Sequence, residues 1–431
     1  MENIRLHPSP GEWAALTTRP GLAAEKLEKK VRAIIREVSL QGDEAVRQFS
    51  ARFGGAAPGD LWVQPGEIRA AATRVDPLLK RSIRAARKNI ERFHRSQAEP
   101  VRRIETVPGV VCWRKSIPIE RVGLYIPGGT APLFSTLLML GIPARIAGCA
   151  QIVVATPPRE DGRISDVILF VAGLLGIDKI YKAGGAQAIA AMACGTQTLH
   201  KVHKIFGPGN QYVTCAKKLV QAQGTAIDML AGPSELAIYA DATCVPAYVA
   251  ADLLSQAEHG ADSQVILVSS SEAIIRNVLK EVARQLPGLP RKRIIEKCLL
   301  NKRLVVFRDH RTAFAFLNAY APEHLVIASQ RAGVLSRLVT NAGSVFLGNH
   351  APESAGDYAS GTNHSLPTNG TAAVTGGVSL DSFVKKVTFQ KITGSGIRRI
   401  GPVIEEMAEA EGLQAHRSAV RIRLQNEKRT S

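Results

Sequence analysis

The strongest constraint on the fold is the regular alternation of short β-rich runs with helical segments through the middle of the chain. Runs such as VGLYIP, IVVATPP, IYKAGG and KIFGPG each lie next to a segment of helical character, such as FSTLLMLGIPARIAG or NQYVTCAKKLVQ. Short strands separated by helices of about ten to fifteen residues predict parallel strands joined by crossover helices. The alternation resumes after a helix that begins at Pro246, with SQVILVSS, LVVFRD, HLVIAS and SVFLGN. We therefore expect two α/β sheets.

The two ends of the chain have a different texture. Residues 1–22 predict a short arm, and helical periodicity follows through 22–53. Asp76 and Pro77 predict an N-cap and a first helical position. The stretch 101–119 alternates as strands do, and from about Ser379 we expect helix to the end of the chain.

Composition narrows the class of protein. The net charge is +18, but the densest basic run, 80–103, includes an apolar stripe at helical spacing, so its bases are the solvated back of a docked helix. Aromatic residues are only 5% of the chain and do not interleave with the bases, which argues against a nucleic-acid surface. The six cysteines are scattered, and neither a signal peptide nor a membrane-spanning run is evident. We expect a cytoplasmic protein without a membrane partner.

Three strand-to-helix turns are rich in glycine. They contain Tyr125 before Gly128 and Gly129, Gln187 after Gly184 and Gly185, and Asn210 after Gly207 and Gly209. Backbone N–H groups at such turns attract phosphates, although a single turn of this kind is more often structural. Three of them on the carboxyl side of strands in one α/β unit predict a nucleotide-binding crevice.

The helix from Pro246 presents two metal-ligand types on one face. Gln256 and His259 are three residues apart, so their side chains leave the same side of the helix, before a left-handed stop expected at Gly260. A histidine at a helix C-terminus can instead interact only with the last carbonyls. The metal interpretation therefore requires ligands from elsewhere.

Further acids and histidines follow in polar segments. APEHLVI contains Glu323 and His324 at the entry to a strand, where they could serve two proton transfers or be ordinary solvated turn residues. Other candidates are Glu353, Asp357 and His364 in a glycine- and serine-rich loop, and Glu411 and His416 between two helical segments.

The chain resembles the histidinol dehydrogenase family in the order and spacing of long motifs that cover nearly all of it. These motifs are YIPGGTAPLFSTLLML, AGGAQAIAAMACGT, KIFGPGNQYVT, IDMLAGPSE, ADLLSQAEHGADSQ, APEHLVI, SAGDYASGTNHSLPT and EGLQAH. The resemblance implies a homodimeric, zinc-containing enzyme with shared active sites. It implies NAD-dependent oxidation of L-histidinol through L-histidinal to L-histidine, the last step of histidine biosynthesis.

The resemblance also implies residue roles. One zinc per subunit would be bound by Gln256, His259, Asp357 and His416, with His416 given to the partner's site. His324 would be the general base and Glu323 would activate water. Substrate would contact Ser234, Glu411, His324 and the metal ligands, and NAD would contact Tyr125, Gln187 and Asn210.

The implied architecture is two incomplete Rossmann-like domains, one inserted in the other, with a short N-terminal arm and a helical C-terminal tail that we expect to swap across the dimer. The predicted boundaries are 1–22 for the arm, 23–124 with 233–378 for the domain with the metal and catalytic residues, 125–232 for the inserted NAD domain, and 379–431 for the dimerisation tail.

Some features depart from the family, and the sequence also allows two rival functions. Leu230 replaces a usual proline, Cys194 replaces a common aromatic residue, and the high positive charge is atypical. A related enzyme acting on another small alcohol is disfavoured by EGLQAH. A basic binding protein that has lost catalysis is disfavoured because Glu323, His324 and all four implied ligands are present.

Overall fold

A computed structural model describes residues 4–19, 24–54, 59–128, 132–230 and 232–429. Its strands are β1 (Ile4–Leu6), β2 (Arg103–Val107), β3 (Val110–Pro118), β4 (Arg121–Tyr125), β5 (Gln151–Thr156), β6 (Lys179–Lys182), β7 (Lys204–Phe206), β8 (Ala226–Ile227), β9 (Glu235–Ala240), β10 (Gln264–Ser269), β11 (Arg303–Val306), β12 (His324–Ala328), β13 (Ser344–Leu347) and β14 (Val384–Ile392).

The first helix lies in the N-terminal arm and the last lies in the C-terminal tail. They are α1 (Pro10–Thr17), α2 (Ala24–Gln41), α3 (Asp43–Gly54), α4 (Pro65–Arg74), α5 (Pro77–Arg95), α6 (Phe134–Ala147), α7 (Asp166–Leu174), α8 (Gly185–Cys194), α9 (Gln211–Gln221), α10 (Pro246–His259), α11 (Glu272–Gln285), α12 (Lys292–Leu299), α13 (His310–Tyr320), α14 (Ala332–Leu335), α15 (Glu353–Tyr358), α16 (Gly394–Ala410) and α17 (Gln414–Arg429). None of the described helices combines the length and the apolar character of a membrane span.

The first α/β unit is a five-stranded parallel sheet in the order β6-β5-β4-β7-β8. Successive side chains of a strand point to opposite faces. Val122 and Leu124 therefore join a core with α4 to α7, whereas Val153 and Ala155 join a second core with α2, α3, α8 and α9. Helices on both faces explain why these strands are continuously apolar.

The second unit is a six-stranded parallel sheet in the order β1-β11-β10-β9-β12-β13. It too has two cores, one with α10 to α12 and the other with α13 and α14. The N-terminal arm supplies its edge strand, since Ile4 pairs with Leu304. The expectation of two α/β sheets is confirmed.

The direction of chain order reverses within each sheet, between β4 and β7 in the first and between β9 and β12 in the second. In open α/β sheets, ligands bind at such a reversal, outside the carboxyl ends of the strands. The glycine-rich turns occupy that position in the first sheet. In the second sheet, Glu235 and His324 instead begin β9 and β12, at the amino edge.

The prediction that the chain is helical from about Ser379 to its end is wrong for part of this segment. Residues 384–392 form β14, which pairs antiparallel with β3 and gives a small sheet in the order β14-β3-β2. VKKVTFQKI contains β-branched and aromatic residues that suit a strand, and β3 offers it a free edge. Helix begins only at α16.

The packing also differs from the predicted domain boundaries. Helices α2 to α5, assigned to the metal-containing domain, pack on the five-stranded sheet, whose first strand begins at Arg121. Apolar faces of amphipathic helices do not specify which sheet will cover them, so sequence could not assign them. The predicted end of the arm at 20–22 and the glycine at 129 lie outside the described residues.

Local helix predictions had mixed outcomes. Asp76 is an N-cap that accepts from the backbone N–H groups of Leu78 and Leu79, and Pro246 begins α10, as predicted. Gly260 was expected in the left-handed region but is extended, with φ −174°. The basic helix α5 buries Ile83, Ala86 and Ile90 of its apolar stripe and exposes most of its bases, as predicted, but Phe93 at the end of the stripe is exposed.

Candidate functional site

A crevice lies between the carboxyl edge of the five-stranded sheet and the amino edge of the six-stranded sheet. It contains a cavity of about 200 Å³. Gly207 and Pro208 line it from the first sheet, and Ser234, Glu323 and His324 line it from the second. The structure therefore brings the predicted acid–histidine pair opposite one of the glycine-rich turns.

Glu323 is almost fully buried at the floor of this crevice. Its Oε2 atom accepts hydrogen bonds from Ser234 Oγ at 2.6 Å and from the backbone N–H of Glu235 at 2.9 Å. Burial raises the pKa of Glu323 to about 8, although these two hydrogen bonds oppose the shift. In the metal-free chain its carboxyl group is therefore mainly protonated at neutral pH.

His324 is held through one ring nitrogen. Nδ1 lies 3.2 Å from the backbone carbonyl oxygen of Glu235. A carbonyl can only accept, so Nδ1 carries the proton of the neutral ring and Nε2 keeps its lone pair. Burial, with smaller contributions from His259 and His364, lowers the pKa of His324 to about 3. The ring is neutral and has the form that a proton acceptor needs.

A second cluster adjoins this pair. Ligand atoms of His259, Glu353 and Asp357 all lie within 4.8 Å of one another, and His259 Nε2 is 3.8 Å from Asp357 Oδ2. Gln256, one turn earlier on α10, is fully buried, and neither of its side-chain amide atoms has a hydrogen-bond partner in the described residues. A buried amide without partners is costly, so a missing ligand is the simplest explanation.

Electrostatics also favours a cation at this cluster. Burial raises the pKa of Glu353 well above its usual value, and repulsion from Asp357 and Glu323 adds to the shift. Burial likewise raises the pKa of Asp357, while His259 opposes that shift. Imidazole, amide and carboxylate groups are donors that zinc accepts. The residues present therefore fit a divalent metal ion.

Glu353 was a candidate from the sequence, but the family resemblance gave it no role in the ligand set. The segment from 353 was expected to be a loop, but it forms the short helix α15. That helix places Glu353 and Asp357 four residues apart on one face. Both carboxylate oxygens of Glu353 are buried without a hydrogen-bond partner in the described residues, and Oε1 lies 3.7 Å from His324 Nδ1. Helical spacing between the two acids was the available signal.

His364 belongs to the wall of the same cavity. Its Nδ1 atom lies 3.0 Å from the backbone carbonyl oxygen of Asp357, and burial lowers its pKa to about 4. The ring therefore supports the end of α15 as a neutral donor.

The three glycine-rich turns lie at the carboxyl edge of the five-stranded sheet. The Tyr125 hydroxyl accepts from the backbone N–H of Gly185 at 3.0 Å, which connects the first turn to the second. In the third turn, Gly207 has φ +122°, and a Cβ there would lie 2.1 Å from the carbonyl oxygen of Tyr125. Only glycine permits that close approach.

A larger cavity of about 620 Å³ lies beside these turns, between them and helices α2 and α3. Gln187 and Asn210 line it, together with Phe49, Phe53 and Tyr212. The Asn210 side chain is also the N-cap of α9, since it accepts from the backbone N–H groups of Tyr212 and Val213. This volume and its aromatic walls suit a nucleotide.

Glu411 and His416 are not brought to the crevice within one chain. Both are exposed, at the junction of α16 and α17. These two helices pack against each other, and Arg421 Nε donates to Glu405 Oε1 at 2.9 Å. Within one chain, His416 therefore does not join His259 and Asp357 at the crevice.

Comparisons with known proteins agree over nearly the whole length. The family model described as histidinol dehydrogenase matches residues 17–424. Histidinol dehydrogenase of Bacteroides thetaiotaomicron is 54% identical over 424 residues, covering 98% of this chain and 99% of that protein. The Salmonella typhimurium enzyme is 48% identical over 419 residues, covering 96% of each. The crystal structure of histidinol dehydrogenase from Elizabethkingia anophelis superposes with a TM-score of 0.96 at 53% identity, covering 98% of both chains.

Proposed function

This chain belongs to the histidinol dehydrogenase family, and we propose that it converts L-histidinol through L-histidinal to L-histidine with two molecules of NAD. The assignment places it at the last step of histidine biosynthesis. The observation that supports the chemistry best is the crevice in which a buried acid, a neutral histidine and an uncompensated group of metal-ligand side chains meet.

The proposed metal is one zinc ion per subunit. Its ligands would be Gln256, His259 and Asp357 from one chain and His416 of the partner subunit. The unpaired amide of Gln256 and the close approach of His259 to Asp357 support the first three. When bound, zinc would orient the substrate and, as a positive charge, lower the pKa of nearby carboxyl groups.

His324 is the proposed general base. Because Nδ1 donates to the Glu235 carbonyl, Nε2 is left to take the hydroxyl proton of the alcohol. Burial keeps the ring unprotonated at neutral pH, so the lone pair of Nε2 is available. NAD, when bound, supplies the hydride acceptor for both oxidations.

Glu323 is the proposed base for the second half of the reaction. It would take a proton from the water that adds to the aldehyde. Its Oε2 atom is held by Ser234 and the Glu235 N–H, which directs the carboxyl group and places the Ser234 hydroxyl beside it. Ser234 would thus contact substrate on the same wall of the cavity.

We assign the NAD contacts to Tyr125, Gln187 and Asn210. The aromatic-walled cavity beside Gln187 and Asn210 supports this, as does the hydrogen bond that connects Tyr125 to the second glycine-rich turn. The glycine-rich start of α8 also lines this cavity, and the N-terminus of a helix suits a pyrophosphate.

We further propose a homodimer in which the tail is shared. Glu411 and His416 are exposed on the α16–α17 hairpin, whose Met407 and Ile422 also expose apolar side chains. An exposed apolar hairpin suits a partner surface, on which Glu411 would reach substrate and His416 would reach zinc. The arm needs no exchange, since β1 completes the sheet of its own chain.

The compartment and the absence of other partners are also proposals. All six cysteines are free thiols, which fits a reducing cytoplasm. The bases of α5 oppose a docked apolar stripe, so we assign them no nucleic-acid role.

The test is turnover by purified dimer on a panel of small alcohols. L-histidinol should be oxidised to histidine, and Glu323→Gln should impair the aldehyde step more than the alcohol step. Preference for another alcohol would instead favour a related dehydrogenase with a different substrate.

A further inference from the structure

The two proposed acid–base residues, Glu323 and His324, are both hydrogen-bonded to the backbone of Glu235. Its N–H donates to Glu323 Oε2 at 2.9 Å, and its carbonyl oxygen lies 3.2 Å from His324 Nδ1. Glu235 begins β9, and the pairing of β9 with β12 sets Leu236 opposite His324. The position of one pair of peptide groups therefore sets both functional side chains.

The side chain of Glu235 is fully buried and bound by a residue 216 positions earlier. Arg19 donates from Nε to Oε1 at 2.6 Å and from Nη2 to Oε2 at 2.8 Å, which is bidentate geometry. Oε1 also accepts from the backbone N–H of Asn369 at 2.8 Å. Both carboxylate oxygens of Glu235 therefore accept at least one hydrogen bond.

The guanidinium is itself fixed on its other side. Nη2 donates to the carbonyl oxygen of Tyr320 at 2.7 Å, and the guanidinium carbon lies 4.1 Å from the Tyr320 ring centroid. The Arg19 side chain is only 15% exposed. Planar stacking together with a bidentate pair is specific to arginine, so lysine cannot reproduce it.

Arg19 reaches this place because the N-terminal arm is docked. β1 pairs with β11, and Trp13 of α1 lies edge-on to Phe307 and Phe316, with ring centroids 6.1 and 5.7 Å away. These contacts lie on the face of the six-stranded sheet that α13 covers. The arm thus delivers a cation to the amino edge of β9.

We propose that Arg19 and Glu235 are positioning residues for catalysis. The ion pair holds the first peptide groups of β9 where they orient the carboxyl group of Glu323 and the ring of His324. The N-terminal arm is then part of the active-site machinery, beyond its place in the sheet. This inference rests on the roles proposed above for Glu323 and His324.

A purely structural role is the alternative, and the experiment separates the two. In Arg19→Ala, kcat should fall by about 10- to 100-fold, as is typical when a supporting contact behind an active-site group is lost. Bound zinc per subunit should stay near wild type, because the hydrogen bonds of the pair go to neither Gln256, His259 nor Asp357. The fall in kcat should exceed any rise in KM for histidinol. Equal losses of kcat, zinc and folded protein would overturn the proposal.

Chemical rescue gives a second readout. Methylguanidinium at millimolar concentration should bind in the space that the Arg19 side chain leaves beside Glu235 and Tyr320. It should restore part of the lost kcat of Arg19→Ala and raise the Tm of that variant but not of wild type. Methylammonium has the same charge without the planar fork and should rescue neither. Equal rescue by both ions, or by neither, would contradict the specific role of the guanidinium.

Arg19→Ala leaves the Glu235 carboxylate buried without its partner and could fail to fold. A variant that removes both charges keeps the proposal testable in that case. The double substitution Arg19→Leu with Glu235→Leu removes both charges together, which folded proteins tolerate better than loss of one. It should bind zinc and remain folded but have low kcat; full activity would overturn the proposal. Arg74→Ala, which breaks an exposed pair with Asp166, is the matched control and should behave as wild type.

Two further variants distinguish failure of the Arg19–Glu235 positioning role from failure of the proposed roles of Glu323 and His324. Glu323→Gln and His324→Asn are measured in the wild-type background alongside the Arg19 variants. If both retain full kcat, the assigned acid–base roles fail irrespective of Arg19. If both are impaired while Arg19→Ala is not, only the positioning inference fails.

Discussion

Replacing Gln256 with leucine should stabilise the metal-free enzyme while removing its metal. Gln256 is fully buried on α10, and two side-chain atoms lack partners in the described part of the chain. Each unsatisfied buried group costs about 1–3 kcal/mol, and a leucine of similar volume costs under about 1.5 kcal/mol in repacking. Leucine and glutamine have similar helix propensity. Two such groups, less the repacking cost, give the metal-free protein a gain of about 0.5–6 kcal/mol.

In the presence of zinc, the difference in free energy of unfolding between Gln256→Leu and wild type should shift in favour of wild type. At free zinc 100-fold above its Kd, wild type gains about 2.7 kcal/mol from binding. Gln256→Leu should lose most of this gain, because one of the proposed ligands is gone. Melting with chelator and with added zinc, together with metal content by mass spectrometry, measures both effects.

Gln285→Leu is the matched control. The Gln285 amide is satisfied, since Nε2 donates to the carbonyl oxygen of Ala247 at 2.9 Å. Its loss should lower stability by about 1 kcal/mol and leave zinc binding unchanged. If Gln256→Leu destabilises the metal-free protein, or keeps stoichiometric zinc, the assignment of Gln256 as a ligand is refuted.

Three further predictions concern the same crevice. His259→Asn should give a folded dimer without zinc or turnover, and stoichiometric metal in that variant would count against the ligand set. Mixed dimers of inactive His324→Asn and His416→Asn chains should recover some activity, because one site in each is intact; no recovery after verified subunit exchange would argue against a shared tail. Because burial raises the pKa of Glu323 to about 8, the folded metal-free chain keeps a proton that the unfolded chain loses above its ordinary pKa. Its free energy of unfolding should therefore fall as pH rises from about 5 to 8, on the order of 1 kcal/mol per pH unit, and Glu323→Gln should reduce that slope. Denaturant melts across this range test it, and an unchanged slope in the variant would contradict it.

The sequence predicted features that depend on local pattern. Alternating strands and helices predicted the two parallel sheets. The spacing of Gln256 and His259 predicted that both would leave the same side of α10. The glycine-rich turns predicted an edge that the structure forms, with Tyr125 hydrogen-bonded to Gly185. Each of these follows from periodicity or from backbone geometry over a few residues.

Features that depend on distant packing were not predictable in this way. Arg19 and Glu235 are 216 positions apart and meet only because the arm docks on the six-stranded sheet. β14 became a strand because β3 offers it an edge, and α2 to α5 took the five-stranded sheet because its faces accept them. His416 requires a second chain, which no local pattern describes.

The most direct test of the account is the number of NADH molecules formed per L-histidinol consumed, measured before chelation, after chelation and after zinc is restored. We predict two NADH per histidinol, loss of turnover with the chelator and recovery with zinc. One NADH per histidinol would contradict the two-step oxidation, and turnover that survives complete removal of metal would contradict the zinc site.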